Sequence, residues 1–410
     1  MVKTAGKQLS WLSLVGMSFA AGLQLEGCKS EVTDSADTAA GGVSTSLVAE
    51  LLSTVGPQVI LPELQEFKNR LGLLASSLDN WDSAISSQGD VEEAHAAVQD
   101  AWRSSMQSWQ RLEVMQIGSL GSSLNAIGGE DLRDEIYSWP TVNHCRIDQK
   151  TASLQWQETD FFEANLVNAY GLDALEHLVF AGPDSVCNPA VPPLSDGSWD
   201  ALGPDGVGVA RAGYSSRIVE QIEAITDDLI WTWQTDGGGF SDTLKADSED
   251  SIYGSTQEAL NAVYDALFYV ETRTKDRKLA LPLGLRPDEC DDDVCPDDLE
   301  GLISGETIPM LIANLEGFQA LFTGGDGIGF DDLISDLGHD DLTQSMLSHI
   351  DGAIAAFEGF EGSIYDAISA QESAPQELFD TLSLLTAEIK WDMSTLLSLV
   401  VPEEAKLDND

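Results

Sequence analysis

Residues 171–180, GLDALEHLVF, carry three ionisable side chains inside an otherwise apolar stretch. Helical spacing puts Asp173 on the same face as Glu176 and His177. A second stretch, WRSSMQSWQRLE (102–113), repeats the anomaly: Trp102, Met106 and Trp109 make one helical face, and Glu113 extends it. Helical bundles build metal sites by projecting such inward carboxylates from facing helices. Oxygen ligands suit hard cations, and a neighbouring imidazole widens the choice to iron, zinc or manganese. Asp173, Glu176, Glu113 and His177 are therefore the candidate metal ligands, with iron the first cation to consider and calcium or zinc also compatible. The competing structural reading is that the acids are buried against Arg111, Arg211 or backbone amides, because an unpaired buried charge is costly.

The elements that must position these residues read as helices. Phe162, Leu166, Ala169, Asp173, Glu176 and Phe180 step by four and three along one predicted helix. Near the C-terminus Leu378, Leu382, Leu385, Ile389, Met393, Leu396 and Val400 form one such stripe, with Ser373 as a cap and Gln376 at the third helical position. Met346, Ile350, Ala353, Phe357, Phe360 and Ile364 form another. No segment alternates as a strand would, so the fold class is all-α. A Pro- and Gly-rich stretch, 181–208, punctuates the chain. The expected organisation is residues 1–27 as a signal peptide, 28–45 as a lipid-anchored linker, 46–205 as an N-terminal helical bundle, and 206–404 as a second.

The first residues support export. Lys3 and Lys7 precede the apolar run LSWLSLVGMSFAAGL, and LEGC ends at Cys28. Basic, apolar and small residues in that order make a secretory signal. The order around Cys28 fits the bacterial lipobox, whose cysteine is acylated, so a membrane is the first expected partner. With Cys28 taken for lipid, Cys145, Cys187, Cys290 and Cys295 remain as an even set in an oxidising compartment. Cys290–Cys295 is the local pairing and Cys145–Cys187 follows; a zinc site at CDDDVC would lack paired C-x-x-C spacing. Seventy acidic residues against 20 basic ones give a net charge of −50. That balance argues against nucleic acid, which needs a basic face, and favours cation attraction, solubility or adaptation to salt.

Five segments together resemble the imelysin-like family, peptidase family M75. AYGLDALEHLVFAG resembles its G-x-H-x-x-E signature, with Asp173 where the family has histidine and Glu176 on the family glutamate. AWRSSMQSWQRLEVMQIGSL resembles the tryptophan-rich helix, IYSWPTVNHCRID the Ser-Trp-Pro segment, KLALPLG a Lys-Leu…Pro-Leu-Gly turn, and LISGETIPMLIANLEGFQALFTGGDGIGFDDLI the late Gly-rich segment. These cover most of residues 46–400 in the family's order. The resemblance implies two related helical-bundle domains with the signature near their interface. It also implies an exported and often lipid-anchored protein, in the periplasm or at the outer membrane, linked to iron uptake and its other components.

Three functions follow as expectations. The first is an extracytoplasmic binding protein for iron or another di- or trivalent cation. The second is a metallopeptidase, which would need three zinc ligands, an open position and a base; the chain has five histidines and no H-E-x-x-H. The third is a partner-binding lipoprotein whose site has degenerated.

Overall fold

The computed structural model describes residues 42–245, 251–286 and 289–406. The signal peptide, Cys28 and most of the tether lie outside the described residues. In chain order the helices are α1 (Thr45–Val55), α2 (Leu61–Ser87), α3 (Val91–Glu113), α4 (Leu132–Ile136), α5 (His144–Ser153), α6 (Phe161–Ala164), α7 (Leu172–Phe180), α8 (Ser198–Trp233) and α9 (Phe240–Thr243). They continue as α10 (Thr256–Leu267), α11 (Thr307–Thr323), α12 (Phe330–Asp336), α13 (Asp340–Glu358), α14 (Ile364–Ser369), α15 (Ser373–Ala387), α16 (Ser394–Leu396) and α17 (Glu403–Lys406). Wider π-helical turns cover Gly56–Ile60, Val270–Ala280 and Glu388–Met393. No strand occurs among the described residues, and the fold is all-α.

Local chemistry explains the elements that carry the site. α3 starts where the Asp90 carboxylate accepts the Glu93 backbone N–H, satisfying one of the unpaired donors of the first turn. Its stripe of Val98, Trp102, Met106 and Trp109 is buried, and Glu113 is buried with it. α5 is capped in the same way by Asn143, which accepts from Arg146. One continuous core of buried apolar side chains runs from Val43 to Ala405.

The two halves expected from the sequence interleave in space. α8, kinked at Gly203, lies mostly beyond the expected boundary at 205, yet it packs against α2, α5 and α7. α1 reaches α10 and α12, and α3 packs along α11. The described residues fall in one compact unit.

Four local expectations need correction. The helix expected through 346–364 ends at Glu358, and Ile364 opens α14. The helix expected through 162–180 is broken into α6, a single 3-10 turn at Val167–Ala169, and α7. Leu166 is consequently 75% exposed instead of marking a core face. The break comes from extended backbone at Asn165 and Tyr170 and from Gly171 at φ +108°, a conformation that only glycine adopts without strain. Ser373 does not cap α15: it is the first helical residue, and its hydroxyl bonds Glu377. The last stripe is buried through Met393, but helical structure stops at Leu396; Leu397 and Leu399 then fill the core while Val400 is 58% exposed.

Candidate functional site

Glu113, at the C-terminal end of α3, faces two cations. One carboxylate oxygen accepts from Arg133 Nη2 at 2.6 Å and Nε at 2.9 Å; the other accepts from Lys278 Nζ at 3.3 Å. Burial alone would raise its pKa, but the charges of Lys278 and Arg133 outweigh burial and hold it below the ordinary carboxylate range. Arg133 sits just inside α4, donates also to the Trp139 carbonyl at 3.1 Å, and stays charged, its pKa well above normal because Glu113 more than offsets desolvation.

Lys278 is the hub of the cluster. It is fully buried and comes from the π-helical turn Val270–Ala280. Such turns are rare and recur at functional sites, where the wider coil re-aims side chains. The ammonium donates to Gln110 Oε1 at 2.7 Å and Asn314 Oδ1 at 2.9 Å, and it lies 3.0 Å from Glu300 Oε2. Glu300 accepts from the Tyr137 hydroxyl at 2.7 Å and from Gln110 at 3.2 Å. Burial raises the Glu300 pKa while Lys278 pulls it back, so Glu113 holds negative charge more firmly than Glu300 does. Asn314 closes the ring by donating to the Gln110 side chain and backbone carbonyls, each at 2.8 Å.

α7 adds the signature acids at the edge of this ring. Asp173 Oδ2 accepts from the Ser138 backbone N–H at 3.1 Å and hydroxyl at 2.7 Å, and Oδ1 accepts from the Ala174 N–H at 2.9 Å. Glu176 accepts from the Ser304 N–H at 2.8 Å. Burial pushes both carboxyl groups up to about 7, against these hydrogen bonds. The Trp102 indole donates to the Leu172 carbonyl at 2.9 Å and fixes the start of α7 on α3. Gly171 is required here, since a Cβ would lie 2.7 Å from Asp173 Oδ1 and 3.0 Å from the Ile136 carbonyl.

His177 takes no part in this arrangement. Its Nε2 donates to Asp148 at 2.8 Å, and its ring stacks on His144 at 4.9 Å. Asp148 in turn accepts the Val186 N–H. The four residues expected to share one cation thus have different partners: two side-chain cations for Glu113, N–H and O–H donors for Asp173, an amide for Glu176, and Asp148 for His177. Among the described residues no three His, Cys, Asp or Glu side chains converge with a geometry that could hold a metal ion. Pairing with cations and backbone amides is what the acids do, although the cations are Arg133 and Lys278. Arg111 binds Glu63 and Glu316, and Arg211 donates to the Ala181 carbonyl. Both disulfides are formed as expected, Cys145–Cys187 and Cys290–Cys295.

Gln110, Arg133, Tyr137, Ser138, Lys278, Glu300, Ser304 and Asn314 were not singled out by spacing. A signal existed all the same: each quoted segment that ends in the network supplies one of them or a signature acid. Beside the network opens a pocket of about 260 Å3, with Arg133, Ser138, Trp139, Tyr269 and Arg273 among its walls.

The family model for imelysin, peptidase M75, matches residues 61–389. The chain belongs to the imelysin family. Two solved structures share the fold. An iron-regulated protein A precursor from Parabacteroides distasonis ATCC 8503 is 14% identical, with a TM-score of 0.64, covering 88% of this chain and 97% of that one. An imelysin-like protein from Psychrobacter arcticum 273-4 is 16% identical, with a TM-score of 0.58, covering 88% of this chain and 98% of that one. None of the curated proteins matches. In this imelysin-family chain the signature acids, Asp173 and Glu176, thus border a ring whose charges are already paired.

Proposed function

We propose that this imelysin-family protein is an exported, lipid-anchored binding protein that serves iron acquisition by holding a ligand, without cutting peptides. The observation that carries this reading is the Glu113–Arg133–Lys278–Glu300 network. Its carboxylates are neutralised inside the protein, so the network is a rigid wall for a neighbouring pocket and a poor first coordination sphere for a bare cation. A cation placed at Glu113 would meet Arg133 and Lys278 at contact distance. The donor set therefore does not fit free iron, calcium or zinc at Asp173, Glu176, Glu113 and His177. Iron, as cargo, would have to arrive within a complex.

Family membership, the two disulfides, the lipobox-like LEGC and the iron-regulated description of one structural relative support the cellular part of the reading. The test is uptake of isotopic iron by a deletion strain under iron limitation. Uptake should fall on deletion and return with the wild-type gene. Cys28→Ala should release the protein from membranes. Unchanged uptake on deletion overturns the iron role. Cleavage of a peptide library that is lost in Glu176→Gln would establish the peptidase reading in its place.

A further inference from the structure

Arg273 stands on the wall of the pocket, exposed, and makes no hydrogen bond or ion pair among the described residues. In a chain with 70 acids and 20 bases that is unusual. Neighbouring cations on the same π-helical segment are all engaged: Lys275 with Asp276, Arg277 with Glu289, and Lys278 with Glu113 and Glu300. The same turn that buries Lys278 thus points an uncommitted guanidinium at the pocket next door.

The other charges in the pocket are already committed. Arg133 is held by Glu113 and Asp134. Asp134 rests on Arg133 Nη1 at 2.9 Å, and Asp131 accepts the Ser123 N–H at 2.8 Å and hydroxyl at 2.5 Å. The Ser123 hydrogen bonds hold the Asp131 carboxyl below its ordinary range, so it stays an acceptor. The walls also include Trp139 and Tyr269, flat surfaces for a carbon skeleton.

We propose that this pocket binds a small carboxylate that also carries a hydrogen-bond donor, its carboxylate on Arg273 and its hydroxyl or ammonium group toward Asp131 and Asp134. This deepens the reading of the region as a binding site and rests on it. The mixed signs select the ligand. A planar guanidinium takes a carboxylate through two parallel N–H donors. The two aspartates repel a compact multivalent anion such as phosphate and reward a donor at the far end. A bare cation is disfavoured by Arg273 and Arg133 on the same walls. An entirely apolar ligand would leave four charged groups desolvated.

The test is calorimetric titration of the mature protein with L-lactate, L-alanine and inorganic phosphate, without iron. One of the two carboxylates should bind at a single site, with Kd in the range of about 10 μM to 1 mM. Lactate binding identifies a hydroxyl donor, and alanine binding an ammonium donor. Phosphate should bind at least about tenfold more weakly, and Arg273→Gln should weaken the carboxylate by about tenfold or more. Arg277→Gln, on the same segment and paired with Glu289 away from the pocket, should bind as wild type does. Arg273 is exposed and unpaired, so its replacement should leave thermal unfolding unchanged. The proposal is overturned if neither carboxylate binds up to about 10 mM, if Arg273→Gln binds equally well, or if phosphate binds as tightly. These titrations involve no cells and no iron. Their failure leaves the uptake role to its own test, and a failed uptake test leaves the carboxylate site standing.

Discussion

Lys278 and Glu300 lie 3.0 Å apart with neither side chain exposed to solvent. Breaking a buried pair from one side leaves the remaining charge desolvated and unpaired, which costs about 3–5 kcal/mol. Lys278→Met leaves Glu300 buried without a cation and Glu113 with Arg133 alone, and should lower unfolding stability by an amount in that range. Glu300→Gln should cost less, because its carboxamide oxygen still accepts from Tyr137 and Lys278 keeps Glu113. Urea unfolding of the two variants measures the difference. Equal losses would mean that the lysine does not organise the cluster.

Glu176 makes stability depend on pH in the direction opposite to an ordinary salt-bridged acid. Burial pushes its pKa from the ordinary 4.5 up to about 7, so the folded protein binds the proton more tightly than the unfolded chain. The folded state is therefore favoured at low pH, and the contribution is lost as pH rises through about 7. Glu176→Gln keeps an acceptor for the Ser304 N–H and removes the titration. The variant should gain about 2 kcal/mol on wild type between pH 5 and pH 8. Parallel stability curves for the two proteins would contradict this.

Gly171→Ala tests the break before α7. Its φ of +108° is strained for any residue with a Cβ, and the added atom would press on Asp173 Oδ1 and the Ile136 carbonyl. The expected loss is about 1–3 kcal/mol, read by thermal unfolding. A neutral substitution would show that the backbone at 171 relaxes readily.

The Cys145–Cys187 bridge closes a sequence separation of 42 residues and ties the loop after α7 to α5. Replacing both cysteines by alanine should cost about 2–4 kcal/mol, and the same change at Cys290 and Cys295, only five residues apart, should cost less. Chemical denaturation of each double variant ranks them. A larger loss at the short loop would reverse the assignment.

Helical stripes were legible because core burial repeats at 3.6 residues, and so α3, α13 and α15 could be read from Trp102, Met346 and Leu378 onward. The inward placement of Glu113, Asp173 and Glu176 was legible for the same reason. Their partners were not. Local spacing carries no record of which residue lies across the fold, and Lys278 reaches Glu113 over 165 positions. The break at Gly171 was hidden because apolar spacing continues across it from Phe162 to Phe180. His177 neighbours Glu176 in sequence, but one residue along a helix turns a side chain by about 100°, and its ring faces Asp148. The segments that carried the family resemblance were the better guide, since IYSWP, KLALPLG and ANLEG bring Tyr137, Lys278 and Asn314 to one ring.

That ring has a consequence for how the protein is made. Glu113 and Arg133 emerge from the ribosome together, but Lys278 and Asn314 follow 165 and 201 positions after Glu113. A nascent chain that has finished α3 and α7 holds its signature acids without the lysine that completes their surroundings. Fragments cut short before residue 278 lack Lys278, Glu300 and Asn314 and leave Glu113 with Arg133 alone, however well their early helices form. The ring therefore marks how far synthesis has gone: only a chain that extends past Asn314 completes it.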